Sequence, residues 1–288
     1  IVAVASRKAS PGVTTLTALL ALYWDEPEVQ RVIVEADVSG GTLAARWSQA
    51  HKLSWDPGLL ALSAARGEMN IASVAKVTQE LSEDLRVAAA PPAASQIGPA
   101  LTSLGERGAA ALAGAESIRA FVDCGRLNAK SPAIHLARHG AITLIVCRPN
   151  LEEVHTLVPG VAELRDAGCE LGLVCVGDGP YHPVEIAEQA DIQLVGVLPR
   201  DDRAAELFVG FGLSAGRGFL KSTLARSMAE LASVIQQRCA SRLQQHPSER
   251  SAGDDLLPRS SQLGESVGFG SLLGNPARSN SVIGGVDG

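Results

Sequence analysis

The chain has 288 residues, 46% of them apolar and 3% aromatic, with a formal net charge of −6. That length and apolar content suffice for one large α/β domain or two small ones, with Ala, Leu and Val building the core. The acidic balance supplies no electrostatic basis for strong, non-specific nucleic-acid binding by the molecule as a whole.

In chain order, Ile1-Val2-Ala3-Val4-Ala5 is an uninterrupted apolar run of the kind expected for a central parallel strand covered on both faces. The chain opens directly in this strand without a methionine, as a trimmed or processed chain would. Ser6 to Thr15 reads as a loop, and Thr14 through Trp24 has helical spacing, with Leu16, Leu19, Leu20 and Tyr23 apolar. A strand, a tight loop and a helix N-terminus in that order aim backbone N–H groups and the helix dipole at one point, an anion site. Against the phosphate-loop pattern G-x-x-x-x-G-K-[ST], Lys8 holds the first position and Gly12 the turn. Val13 stands where the lysine belongs, and Thr14 supplies the magnesium-binding hydroxyl.

Arg31 to Glu35 reads as a second strand running into Ala36-Asp37-Val38-Ser39-Gly40-Gly41, acidic residues and glycines at a strand's carboxyl end. Leu43 to Ile71 holds short helices broken at Pro57-Gly58 and Gly67. Leu85 to Ala90 is a short strand, and a helix runs from about Ser95 to Leu112. Ile118 to Asp123 is a strand that delivers a carboxylate, with Cys124-Gly125-Arg126-Leu127 as the loop beyond it.

The second half alternates strand and helix: strand Ala141 to Cys147, helix Glu152 to Ala167, strand Glu170 to Val176, helix Pro183 to Ala190 and strand Ile192 to Leu198. Pro199 to Arg203 is read as a loop. One long helix is expected from Gly218 to Gln244, with Leu220, Leu224, Met228, Leu231, Ile235 and Cys239 on one face. The whole predicts an α/β fold, a doubly wound, mostly parallel sheet with helices on both faces and ligands at the carboxyl ends of the strands. Residues 1–244 form that domain. From 245 to 288 the composition turns to Ser, Gly, Pro and Asn, predicting a disordered tail. Its apolar island, Val267 to Leu273, is read as solvated, with docking on a partner or sister subunit the alternative.

The five cysteines, Cys124, Cys147, Cys169, Cys175 and Cys239, lack CxxC spacing and read as small core residues of a reduced cytoplasmic protein. No run of about 18 apolar residues and no signal peptide occurs, so a soluble, cytosolic protein is expected. His135, His139, His155 and His182 have no metal spacing. Arg217, Lys221, Arg226, Arg238 and Arg242 do not share one helix face and read as solvated.

Nucleotide hydrolysis needs a backbone cradle, a cation, a magnesium site and a residue that orients water. Residues 10–15 can form the cradle, Thr14 and Asp123 the magnesium site. Asp37, with Glu35 two residues earlier on the same side of the strand, can orient the attacking water. Arg126 and Lys130, just past Asp123, are candidates to replace part of the missing positive charge.

Lys8-Ala9-Ser10-Pro11-Gly12-Val13-Thr14-Thr15 resembles the deviant phosphate loop K-G-G-x-G-K-T-[ST] of the MinD/ParA superfamily, the partitioning and cell-positioning ATPases. Glu35-Ala36-Asp37-Val38-Ser39-Gly40 is similar to its D-x-D-x-x-[GQ] strand end, and Asp123-Cys124-Gly125 to its D-x-[PG]-[PAG] switch segment. Val195 to Asp201 is similar to the strand and loop that packs on the base. The resemblance implies a nucleotide-dependent dimer, or a higher homo-oligomer, with ATP and Mg²⁺ as cofactors. Lys8 would reach the partner subunit's phosphates, and Asp37 would be catalytic with it. Lys8, Ser10, Pro11, Gly12, Val13, Thr14, Thr15, Pro199 and Arg200 would bind nucleotide, and Thr14 and Asp123 the metal. Val13 in place of the cis lysine, and Ala9 and Ser10 in place of two glycines, depart from the pattern. The function expected is therefore a dimerising ATP-binding switch with weak or absent hydrolysis that positions or regulates a larger assembly through a protein partner. The alternative is a silent, nucleotide-free scaffold of the same fold. An amidoligase- or reductase-like enzyme is disfavoured, since neither a substrate-domain insertion nor paired cluster cysteines are visible.

Overall fold

The computed structural model describes residues 1–8, 11–211 and 216–245. The expected tail, Ala9 and Ser10 lie outside them. Eight strands form one sheet: β1 (Val2–Ser6), β2 (Gln30–Glu35), β3 (Gln79–Ser82), β4 (Leu85–Ala88), β5 (Ile118–Arg126), β6 (Ile142–Cys147), β7 (Leu171–Val176) and β8 (Leu194–Leu198). Their order is β3-β4-β2-β5-β1-β6-β7-β8, and every pairing is parallel except that of β3 with β4. The doubly wound, mostly parallel α/β sheet is as expected. β1 sits inside it, with all five residues buried, because the apolar run Val2 to Ala5 fits only where both faces are covered.

Alternation along the strands divides the core in two. Ala3, Ala5, Val34, Val122 and Cys147 face a layer made by α3 (Leu59–Ala64), α4 (Ile71–Val77), α5 (Ala94–Gly114), α6 (Ile134–Arg138), α7 (Leu151–Asp166) and α8 (Pro183–Gln189). Val2, Val4, Ile33, Phe121 and Val146 face α1 (Val13–Tyr23), α2 (Leu43–His51), α9 (Asp202–Phe211), α10 (Gly216–Leu220) and α11 (Thr223–Gln245). All five cysteines are buried and free, as small core residues.

α1 is anchored at both ends. Gly12 at φ 104° starts it, a left-handed conformation that glycine adopts without strain. At its other end the Arg31 guanidinium of β2 donates to the carbonyls of Ala21, Leu22 and Trp24 at 3.1, 3.2 and 3.2 Å, satisfying groups the helix leaves open.

Four expectations are corrected. β3 was not anticipated, because Gln79–Ser82 is a polar edge strand with no apolar signal. Cys124 to Arg126 continue β5 rather than forming a loop, and α9 begins where a loop was expected. The single helix Gly218–Gln244 is two: Ser222 Oγ accepts the Ala225 N–H at 3.1 Å and starts α11 afresh. The break turns Leu220 outward at 58% exposure and puts Phe219 inside, against Phe208 at 5.2 Å between ring centroids.

Candidate functional site

Asp123 lies in the carboxyl-terminal half of β5, opposite Val4 of β1 and Glu35 of β2, only 1% exposed. It shares the face of Phe121 two residues earlier, which is the α1 side. There the Thr14 side chain, in the first turn of α1, hydrogen-bonds its carboxylate, and the Gly125 N–H donates to its Oδ1 at 3.0 Å. Burial raises the Asp123 carboxyl to about 7, against those two hydrogen bonds, and the nearby Glu35 and Asp37 charges push the same way. Three carboxylates thus gather beside one helix N-terminus.

Gly125 explains how Asp37 enters. At φ 56°, a Cβ added there would lie 2.1 Å from Asp37 Cγ, so the Asp37 carboxylate occupies the space a side chain would take. The Ser39 N–H donates to Asp37 Oδ1 at 2.9 Å and fixes the turn. Thr14, Asp37 and Asp123 are therefore brought together as the sequence predicts. Gly125, part of the switch-like segment in the sequence, gains a role that spacing did not reveal: it makes the space for Asp37.

Glu35 does different work from that expected. Its Oε1 accepts the N–H groups of Thr42 and Leu43 at 2.6 and 3.0 Å, and its Oε2 accepts that of Ala90 at 2.9 Å. Being 1% exposed and bonded at both oxygens, it caps α2 and ties the end of β4 to β2, a structural role away from solvent. Burial raises its carboxyl above the ordinary range, opposed by those same backbone donors.

The first loop carries no cation at its centre. Val13 is 6% exposed and belongs to the core cluster on the α1 side of the sheet. Lys8 points to Glu152 at the start of α7, Nζ 3.4 Å from its carboxylate, both side chains substantially exposed. Pro11 is buried, while Gly12 and Thr15 are partly exposed. Ser6 Oγ, at the loop's base, is buried with no hydrogen-bond partner among the described residues. Pro199 and Arg200 follow β8, three strands from β1, and the Arg200 guanidinium pairs with Asp202 at 3.0 Å. Arg126, the last residue of β5, and Lys130 beyond it are exposed. Arg238 of α11 lies 3.7 Å from Glu170.

The residues present fit a magnesium nucleotide in part. Mg²⁺ characteristically keeps waters and takes one or two protein oxygens plus phosphates. A buried carboxylate touching a hydroxyl at a helix N-terminus matches that, whereas among the described residues no group of three or more His, Cys, Asp or Glu could hold a metal by itself. The backbone donors at the start of α1 suit phosphate, but the side-chain charge usual at Val13 is missing.

No family model matches the sequence, and no curated protein matches it. Solved structures do. A ParA family ATPase from Chlorobium tepidum superposes with a TM-score of 0.67 at 16% identity, covering 81% of this chain and 97% of that one. The septum site-determining protein MinD of Pyrococcus horikoshii, complexed with Mg-ADP, gives 0.57 at 17% identity, covering 82% and 95%. A Cyanothece McdA variant in its ATP complex gives 0.59 at 14% identity, covering 82% and 95%. Among the described residues no helix is long and apolar enough to cross a membrane. The chain therefore has the fold of the MinD and ParA P-loop ATPases.

Proposed function

We propose that the protein is a nucleotide-binding switch that dimerises on Mg²⁺-ATP and positions or regulates a larger assembly, with hydrolysis weak or absent. The observation that carries this reading is the convergence of Thr14, Asp123 and Asp37 at the N-terminus of α1. Thr14 would ligate Mg²⁺, Asp123 would hold its water shell, residues 10–15 would cradle the phosphates, and Asp37 would orient the water. Pro199 and Arg200 would flank the base. A bound magnesium ion would supply the charge neutralisation that phosphoryl transfer needs. The absence of a lysine at 13 removes a charge clamp whose equivalents contribute orders of magnitude to rate, which supports weak hydrolysis.

Lys8 supports the dimer. Its exposed pair with Glu152 contributes little to stability, roughly 0–1 kcal/mol for such pairs, so the side chain is readily released to a partner's phosphates. The buried Val13 favours a second reading, a scaffold of the same fold that has lost its nucleotide. Thermal unfolding with and without 5 mM Mg²⁺-ATP separates the two, since a ligand that binds only the folded state raises the midpoint (a concentration on the order of the ~mM range suffices for weak sites). A shift present in the native sequence, abolished by EDTA and lost in Asp123→Asn supports the switch. An unmoved midpoint supports the scaffold.

A further inference from the structure

Arg7, the residue before Lys8, turns away from the anion site and lies along α7. Its Nη1 donates to the Leu127 carbonyl at 2.5 Å and its Nη2 to Glu163 Oε2 at 2.6 Å. The other oxygen of Glu163 accepts the Ala129 N–H at 3.0 Å. Beside this, the Leu127 N–H donates to the Ser6 carbonyl at 3.0 Å. One carboxylate on α7 is thus bonded at once to a side chain of the first loop and to the backbone of the segment between β5 and α6. Gly160, three residues before Glu163 and so on the same helix face, makes the approach possible: a Cβ there would lie 2.0 Å from Arg7 Nε and 2.6 Å from its Cδ. The Arg7 side chain is 16% exposed and that of Glu163 is 37% exposed, so water competes only partly for the pair. Hydrogen bonds from the Ala129 N–H and from Arg7 hold the Glu163 carboxyl below its usual range, outweighing what burial adds.

We infer that Glu163 is a positioning residue that ties the first loop to the segment after Asp123, so that the two sides of the candidate site move as one unit and α7 carries the link. The tie stands without any nucleotide; only its consequence for ligand affinity rests on the function proposed above. If the loop closes on a ligand, the segment at 127–129 must follow or the Arg7 and Ala129 bonds to Glu163 must part.

Backbone hydrogen exchange of the full chain without nucleotide tests the link, read at residues 6–8 and 127–131, with the strands as folding control. Glu163→Ala, Arg7→Met and Gly160→Ala are each expected to speed exchange in both segments together by roughly tenfold, since the two would open as one cooperative unit. The decisive signal is at residues 6–8 in Glu163→Ala, because that change leaves the Arg7 and Ser6 bonds to Leu127 in place; Arg7→Met removes the Leu127 carbonyl bond as well, and Arg7→Lys should restore part of the protection. Gly160→Ala keeps every charge and adds only a methyl that displaces the flexible end of Arg7, so it decides the matter if the other variants unfold. Faster exchange at Ala129 in Glu163→Ala alone, with residues 6–8 unchanged and with Gly160→Ala silent, overturns the inference. Because nothing is added to the sample, a failure of ATP binding would leave this outcome standing, and the reverse.

Discussion

At the scale of single residues the account turns on Val13. A lysine there would place a charge among the backbone donors that open α1, and charge-assisted bonds of that kind contribute roughly 1.5–3 kcal/mol. Val13→Lys should therefore tighten Mg²⁺-ATP binding about 10- to 100-fold, measured by calorimetry. Because Val13 is buried in the core, the same change should lower the stability of the ligand-free protein by about 1–2 kcal/mol in denaturant unfolding. Tighter binding without loss of stability would mean the side chain at 13 already points to the ligand. Glu35 shows why some residues could not be placed from sequence. A carboxylate at a strand end followed by glycines looks alike whether it holds water or caps a helix, and the choice depended on where α2 begins. With three backbone N–H groups on its two oxygens, Glu35→Ala should cost roughly 2–4 kcal/mol of stability. A loss under 1 kcal/mol would show that water satisfies those groups equally well.

At the scale of elements, strands that are apolar but for one residue, such as β1 with Ser6 and β6 with Thr143, were plain in the sequence, because burial on both faces favours that composition. Strand β3 was not, since an edge strand of Gln79–Ser82 carries no pattern, and the division of α10 from α11 was hidden because Ser222 is a single capping residue inside a continuous periodicity. Two of the four histidines without metal spacing, His135 in α6 and His139 at its end, join elements. α5 departs from helical geometry at Gly105, and Glu106 just after it meets His135 and Arg138 of α6 and His139 just beyond that helix. Burial raises the Glu106 carboxyl, but the hydrogen bonds from His139, His135 and Arg138 outweigh it and bring it down to about 2. A carboxyl depressed in the folded state contributes stability above its unfolded value, near 4.5, and loses it as the pH falls toward 2. Glu106→Gln should therefore be less stable than the native sequence at pH 6 and approach it between pH 4.5 and 2, followed by urea midpoints. A difference that stays constant over that window would remove the cluster from the acid limb.

At the scale of the whole molecule, the doubly wound, mostly parallel sheet was legible and its strand order was not; because each acidic residue follows an apolar run, that topology brings Thr14, Asp37 and Asp123 to one edge. The space for Asp37 at Gly125 and the Arg7–Glu163 tie were not legible, since both depend on contacts between segments far apart in sequence. The proposed dimer makes Lys8 a contact between subunits rather than within one. Lys8→Ala should then abolish ATP-dependent dimerisation in sedimentation while weakening nucleotide binding less, and the reverse order would contradict that role. Everything above the fold rests on whether a loop with Val13 at its centre holds a nucleotide. Titration calorimetry of the native sequence with Mg²⁺-ATP asks this most directly. The account predicts saturable binding of one nucleotide per chain, with a Kd between about 1 μM and 1 mM, that disappears in EDTA. No heat of binding with ATP at millimolar concentration would contradict it and leave the fold as a nucleotide-free scaffold.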